Sequence, residues 1–516
     1  MRFFLYLCTF FDILRINMKS FQERIKKVTL KGWISCAVSS IAYIAFIIWV
    51  AWGDWKSLAW IVLLPVIIDA FTTKYINWGW WKKYKPITKE EQAKGIKRPQ
   101  ANKVLFTIFS WIDAILFALV AVYFINIYFF QNYQIPTSSL EKTLRVGDFL
   151  CVNKMCYGAR VPNTPLSMPL VQHTMPAILG GGKSYIEKPQ WEYKRLKGWD
   201  KVEKGDIVVF NFPTGDTVCA KVQNPDYYTL CHYYGKEIVH KNKAEFGDIV
   251  VRPVDRRENY VKRCVGTPGD TLQIIDNVIY IDGVQESVHP YLQYNYFVKT
   301  DGHVLGNSYL SKLGISKEDR VKIIDGIYYF PLTREMIVKL KKNPHVLNIE
   351  AVCTKSGNDV CKVITTDNRK YVLPLPASIK QELEASPYVK SVNIWGEAVY
   401  PLGHNSWTRD NYGPIYIPAK GDTVMITEKN YHIYKRIAWA YEFKPIKIGE
   451  PYVFEMDYYW MMGDNRHQSA DSRYWGFVPE DHIVGRPMFV WLSIEKDNSW
   501  GKGRIRWDRI GLSNFE

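Results

Sequence analysis

Cysteine is scarce in this chain: nine in 516 residues, too few for a disulfide scaffold and too scattered for a zinc site. Cys8 and Cys36 lie in the N-terminal region, and the other seven, an odd number, leave at least one unpaired. Cys353 and Cys361 could close a short loop in an oxidising compartment; free buried thiols are an equal reading. The ten histidines are also dispersed. There is no His-Glu-x-x-His, no Gly-x-Ser-x-Gly and no phosphate-binding loop. Those absences remove zincin, α/β-hydrolase and nucleotide-binding signatures. No groove-reading motif and no basic tract on a soluble region is visible, which argues against nucleic acid as a partner. No metal or cofactor is expected.

Charge is uneven. Net charge is +16 over the whole chain. Residues 1–130 hold 17 Lys+Arg against 7 Asp+Glu, a balance of +10, which leaves +6 for the remainder. The excess surrounds hydrophobic segments, as the positive-inside rule expects. Trp33 to Trp52 is 20 residues without a charge, long enough to cross a hydrocarbon core of about 30 Å. Residues 57–73 form a shorter apolar run containing Pro65 and Asp69, and residues 104–130 a third containing Asp113. Pairing within a helix bundle is the preferred role for both acids. Seven Lys+Arg precede the first segment, one lies between the first two, and nine lie from Lys74 to Lys103. This pattern puts the N-terminus and the 74–103 loop in the cytoplasm and everything after about Gln131 outside. Three spans, a multi-pass anchor in the cytoplasmic membrane and a lipid bilayer as partner are therefore expected. Residues 57–73 could instead be re-entrant or interfacial. Residues 3–14 are too short to span and lack a small-residue cleavage site, and Met18 is an alternative start.

From Gln131 onward short runs rich in Val, Ile, Tyr and Phe alternate with Gly, Pro, Asp and Asn, which predicts mostly β structure. Gly-Asp followed by an apolar run recurs at Gly147-Asp148, Gly205-Asp206, Gly247-Asp248, Gly269-Asp270 and Gly421-Asp422. Gly-Asp is turn chemistry and the run after it strand chemistry. The irregular spacing argues for coiled β sheets and against a solenoid. Helical patterns are few, the best being Thr333 to Lys342 and Ser378 to Ser386.

Three stretches can be assembled into one site: Ile135-Pro136-Thr137-Ser138-Ser139-Leu140, Tyr260-Val261-Lys262-Arg263, and Gly463-Asp464-Asn465-Arg466 running on to Ser469-Ala470-Asp471-Ser472-Arg473. The first offers a serine in an apolar frame and begins just after a hydrophobic segment. The second offers a lysine in a strand-like run, and the third polar groups to hold that lysine. A serine hydroxyl needs a base to become a nucleophile. A lysine of ordinary pKa, about 10.4, is protonated at neutral pH, and burial in an apolar setting lowers it. Strand alternation puts Tyr260, Lys262 and Cys264 on one side and Val261, Arg263 and Val265 on the other, so Arg263 is expected to point away from the site. Taken singly, Thr137, Ser138 and Ser139 read as turn residues and Lys262 as a surface lysine on an edge strand. Residues 271–458 separate the second stretch from the third. The organisation expected is a membrane anchor over 1–130, a catalytic region in two parts, 131–270 and 459–516, and an inserted second β-rich domain over 271–458.

The combination resembles the type I signal peptidases, membrane-anchored Ser/Lys enzymes that cleave signal peptides from exported proteins. The resemblance rests on Pro136-Thr137-Ser138-Ser139-Leu140 with Gly147-Asp148, Gly205-Asp206-Ile207-Val208-Val209-Phe210, Tyr260-Val261-Lys262-Arg263 with Pro268-Gly269-Asp270, and Gly463-Asp464-Asn465-Arg466 with Ser469 and Asp471-Ser472-Arg473-Tyr474-Trp475-Gly476. It implies Ser139 as nucleophile and Lys262 as general base. It implies Thr137 and the backbone N–H of Ser139 as the oxyanion hole, and Ser469 as the hydroxyl that orients the amine. Asp471, Arg473 and Gly463 are implied as support. Ile135, Pro136, Leu140, Leu144, Tyr260 and Val261 are implied as walls of pockets for small-x-small residues of a preprotein signal peptide. The chain departs from the family pattern at Ser138, Leu140 and Lys142. Lys142 makes Ser139-Leu140-Glu141-Lys142 a match to Ser-x-x-Lys, the signature of penicillin-recognising acyl enzymes, with Lys355-Ser356-Gly357 and Ser391-Val392-Asn393 in the wrong chain order for that family. A non-enzymatic membrane-anchored β scaffold that kept the motifs as framework is the third reading.

Overall fold

The computed structural model describes residues 28–50, 64, 68–69, 80–317, 319–404, 406–496, 498–501 and 503–515, in two compact units, Met1–Phe124 and Ile125–Glu516. In the first unit the run expected at 33–52 is helical over Leu30–Val50. The run at 57–73 and the Met1/Met18 question fall almost wholly outside the described residues. Thr88 and Glu91 form a reciprocal capping box at the start of the short helix Lys89–Ala93. Arg98 grips the same Glu91 through both of its outer nitrogens, at 3.0 and 2.7 Å. The helix Lys103–Tyr128 has 26 residues and is long and apolar enough to cross a membrane. Many of its large side chains, among them Trp111 and Phe117, are exposed, whereas Tyr128 at its end is buried.

The second unit is mainly β. Its central sheet has seven strands: β1 (Phe130–Gln134), β2 (Asp148–Asn153), β3 (Ile207–Asn211), β4 (Asn259–Gly266), β5 (Tyr458–Met462), β6 (Val478–Pro479) and β7 (Ile483–Ser493). Their spatial order is β1-β2-β7-β3-β4-β5-β6, with every neighbouring pair antiparallel. Side-chain alternation sorts β3 and β4 into two cores. Ile207 and Val209 pack with Ile135, Leu140, Leu144, Leu150 and Val152, with Val261 against them. Val208, Phe210 and Cys264 pack with Met461, Trp475 and Val478, with Tyr260 against them.

All five Gly-Asp pairs lead into a strand. Four share one turn: at Asp148, Asp206, Asp270 and Asp422 the backbone N–H donates to the carbonyl three residues back. In each, the carboxylate accepts the N–H of that same residue, at 2.7–3.1 Å. The glycines sit at φ of 90–95°, the third position of a type II turn, where a Cβ is disfavoured. The fifth differs, since Gly247 ends the short helix Lys243–Phe246.

Residues 271–458 contain a four-stranded sheet (Tyr294–Thr300, Val321–Ile324, Ile327–Leu332, Val346–Ala351) and a three-stranded one (Val360–Thr365, Lys370–Pro374, Val389–Ile394). These have cores of their own, built around Phe297, Val363 and Leu383 and around Val298, Phe330 and Leu340. Their flanks do not. Leu272, Ile274, Tyr412, Ile415 and Phe454 share a core with Trp460, Met462 and Phe477. Helices stand at Arg334–Leu340 and Ala377–Ala385, matching the two patterns in the sequence. Tyr227–Tyr234, Asn307–Leu313 and Glu428–Arg436 are further helices that periodicity did not reveal. They are seven to nine residues long, too short to establish a period, and two of them are fixed at the start by caps from Asp226 and Thr427. Cys353 and Cys361 are both free thiols, and Cys353 Sγ donates to Asp276 at 3.3 Å.

Candidate active site

The three stretches meet. Thr137 is extended, and Ser138–Leu140 then turn tightly into a short 3-10 helix. This buries the Ser139 side chain beside β4. Lys262 Nζ donates to Ser139 Oγ at 2.7 Å and to the Val261 carbonyl at 3.2 Å. Lys262 lies on β4, an interior strand of the sheet, opposite Val208 of β3, and is 5% exposed. Burial pushes its amine down to about 8, against the pull of Asp471 and Asp464. The expectation of a lysine on an exposed edge strand, the reading of that residue taken alone, is therefore not met.

The third stretch wraps the turn from the other side. Asn465 donates its N–H to Ser139 O at 3.1 Å and its side-chain amide to Ser138 O at 3.3 Å. At Gly463 a Cβ would overlap Ser469 Oγ and stand 2.6 Å from Ser139 O, so only glycine fits between them. Ser469 is buried, and its hydroxyl has no hydrogen-bond partner. Asp471 and Arg473 form a fully buried pair with two contacts, 2.9 and 2.8 Å. Asp471 also accepts the Gly463 N–H at 3.3 Å. Arg473 outweighs the burial penalty and holds the Asp471 carboxyl below its usual range.

Arg263 behaves as alternation predicts and turns away from Lys262, but it does not leave the site's framework. It forks onto Asp464 at 2.8 and 2.9 Å, and Thr143 Oγ1 donates to the same carboxylate at 2.7 Å. The sequence offered Asp464 and Asn465 only within a stretch of polar groups expected to hold the lysine; in the structure Asp464 receives Arg263 and Thr143, and Asn465 holds the serine turn. The signal was present only as their place between Gly463 and Arg466.

The expected pocket walls divide by exposure. Ile135, Leu140 and Leu144 are buried in the core with Val209, Pro136 is exposed, and Val261 is half-buried. Tyr260, also half-buried, stacks on Phe212 at 4.3 Å. Thr137 is exposed and caps nothing with its side chain. Lys142 does not approach the serine; its amine donates to the Gly314 carbonyl. Among the described residues one group gathers metal-ligand atoms, Asp301, His303 and His345, within 4.8 Å of one another. The group is largely exposed, and its carboxylate already accepts from His345 Nδ1 at 2.9 Å and from the His303 N–H at 3.0 Å.

A mainly β protein that buries a serine hydroxyl against an amine made easier to deprotonate has the construction of a serine/lysine hydrolase. The family model described as "Signal peptidase, peptidase S26" matches residues 108–308 and 416–492, more than half of the chain. The chain belongs to this family, and it is a serine endopeptidase. It is 25% identical to the Signal peptidase I of Buchnera aphidicola subsp. Acyrthosiphon pisum over 397 residues, covering 76% of this chain and 77% of that one. It is 24% identical to the Signal peptidase I of Haemophilus influenzae over 428 residues, covering 83% and 79%. A shorter match, 48% identical over 179 residues, is to the Signal peptidase I of Aquifex aeolicus, covering 32% and 64%. The penicillin-recognising and scaffold readings gain nothing from these matches.

Proposed function

We propose that the protein removes signal peptides from preproteins, with Ser139 as nucleophile and Lys262 as general base. The observation that carries this reading is the 2.7 Å contact between Ser139 Oγ and Lys262 Nζ inside a buried site of a signal peptidase fold. Lys262, when neutral, takes the hydroxyl proton as Ser139 Oγ attacks the scissile carbonyl. The ammonium returns that proton to the leaving amine, and water then hydrolyses the acyl-enzyme. The Ser139 N–H and the Thr137 hydroxyl stabilise the oxyanion; a donor of this kind is worth about 3–4 kcal/mol. Ser469 orients the amine, and Asp471, Arg473 and Gly463 hold the loop that carries Ser469.

The substrate binds as an extended strand. β4 pairs with β3 along Asn259–Arg263, but with β5 only from Arg263 onward. Asn259–Lys262 therefore keep an unpaired edge facing the serine side, and main-chain bonds along such an edge give affinity while alternate side chains enter pockets. Pro136, Tyr260 and Val261 supply accessible pocket surface, backed by Ile135, Leu140 and Leu144. Residues 131–270 and 459–516 act as the catalytic region and 271–458 as an insertion. Helix Lys103–Tyr128, with the charge pattern around it, anchors the enzyme in the cytoplasmic membrane with the site on the extracytoplasmic side.

The test is cleavage of a preprotein with an Ala-x-Ala site by detergent-purified protein, beside folded Ser139→Ala and Lys262→Met variants. Cutting after the second alanine by the wild type alone supports the reading. A folded but inert wild type, or variants that still cut, refutes it.

A further inference from the structure

Residues 271–458 leave the site after β4 and return to it at three points. At the first, Gln293 donates its N–H to Asp464 O and accepts the Arg466 N–H, both at 2.9 Å. This makes a parallel bridge centred on Asn465, the residue that holds the carbonyls of Ser138 and Ser139. One residue therefore separates Gln293 from the nucleophile turn.

At the second point, His467 is held from two sides. The Asn295 N–H donates to its Nδ1 at 3.0 Å, so Nε2 carries the ring proton. That proton is donated to Asp410 Oδ1 at 2.8 Å, with Asn277 Oδ1 at 3.3 Å. The His467 and Asp410 side chains are fully buried. Burial pushes the imidazole down to about 4, so it is neutral at pH 7 and the tautomer is fixed. Asp410 is anchored in turn by the Thr354 N–H at 2.7 Å. At the third point, Arg473 donates to the Arg409 carbonyl at 3.2 Å while its fork holds Asp471. The loop from Asp464 to His467 is thus fastened on one face to residues 293–295 and 410, and on the other to Ser138 and Ser139.

We propose that Gln293, through its backbone bridge, and Asp410, through His467, are positioning residues for the nucleophile, so that residues 271–458 are a working part of the active site. The inference rests on the reading that Ser139 and Lys262 are the reacting pair. Arg263 and Thr143 hold Asp464, and Arg473 holds the Arg466 carbonyl, within the catalytic region; the loop's fastening to residues 271–458 is the bridge to Gln293 together with the His467–Asp410 link. Releasing it lets Ser138–Ser139 drift relative to β4, where Lys262 stays fixed by sheet pairing.

The experiment is steady-state cleavage of an Ala-x-Ala preprotein by the full-length, detergent-purified enzyme and its Asp410→Ala, His467→Ala and doubly substituted variants. Lys322→Ala, which removes a surface ion pair to Asp325, is the control. A misplacement of about 1 Å costs roughly 10²-fold in rate, so each single variant is expected to lose about 10–100-fold in kcat with KM within about threefold. The double variant should lose no more than the worse single one, because both break the same link. Lys322→Ala should match the wild type. A folded Asp410→Ala or His467→Ala enzyme whose kcat stays within about threefold of the wild type, even with a lowered melting temperature, overturns the proposal. So does a loss confined to KM. If the alanine variants do not fold, Asp410→Asn and His467→Asn, which keep the volume, are judged by the same kcat criterion. Activity surviving in Ser139→Ala would instead refute the underlying assignment of the reacting pair.

Discussion

Replacing Lys262 by methionine is expected to abolish cleavage and yet stabilise the fold at neutral pH. The amine is 5% exposed, and burial lowers it from 10.5 to about 8. A displacement of that size corresponds to a penalty of about 3 kcal/mol for carrying the charge inside. Methionine has a similar length and no charge, so it escapes the penalty while filling the same space. The sign follows from proton counting. Between pH 8 and 10.5 the unfolded chain holds a proton at residue 262 that the folded chain has released, so folding gains as pH rises through that window. Below pH 8 both states are protonated and the full penalty stands. The assay is denaturant unfolding in detergent, wild type against Lys262→Met, from pH 6.5 to 10.5. The variant should lead by about 3 kcal/mol below pH 8, and the lead should shrink toward zero by pH 10.5. A variant less stable than the wild type at pH 7, or a difference that does not change between pH 8 and 10.5, refutes the reasoning.

The same amine sets the pH dependence of catalysis: kcat/KM should rise about tenfold per pH unit up to about 8 and level above it, as the neutral form of Lys262 takes over. A rate–pH profile that is flat from 6 to 9 would contradict this. Gly463→Ala places a methyl 2.6 Å from Ser139 O and into Ser469 Oγ. It should cost about 1–3 kcal/mol of stability and roughly 10²-fold or more in kcat, read by melting and cleavage together. Lys142 sits at φ 77°, a conformation that favours glycine. Lys142→Gly should keep peptidase activity within a few-fold and leave stability equal or higher by about 1 kcal/mol, whereas a Ser-x-x-Lys acyl enzyme would lose its activity. Cleavage should also survive EDTA, since the proposed mechanism uses no metal; inhibition reversed by zinc would sink it.

Some of this protein was legible in its sequence because the determinants are local. Gly-Asp turns are decided by four consecutive residues, so four of the five pairs form the expected turn into a strand, and the fifth, at Gly247, enters its strand from a helix end. Alternation along Tyr260–Val265 fixed which residues share a face, because a strand's period of two holds wherever the strand lies. The pattern from Thr333 to Lys342 announced a helix, and the structure adds the cap, with the Thr333 hydroxyl accepting the Met336 N–H. The serine and the lysine read singly as turn and surface residues; it was their combination with the loop that follows Gly463, and the family resemblance of that combination, that named them as one site.

Contacts between residues far apart in the chain could not be read that way. Nothing in the run Leu292-Gln293-Tyr294 marks Gln293 as the neighbour of Asn465, since its contribution is through backbone groups every residue has. Asp410 and His467 are 57 positions apart and pair only because two loops converge. Arg263 shows the division within one residue. Alternation dictated that it turn away from Lys262, but only the tertiary fold placed Asp464 there to receive it, and a buried guanidinium must find such a partner or pay its full desolvation. The lowered pKa of Lys262 belongs to the fold as well: the sequence supplied the amine, and the packing of β3, β4 and the serine turn removed the water that would have kept it charged.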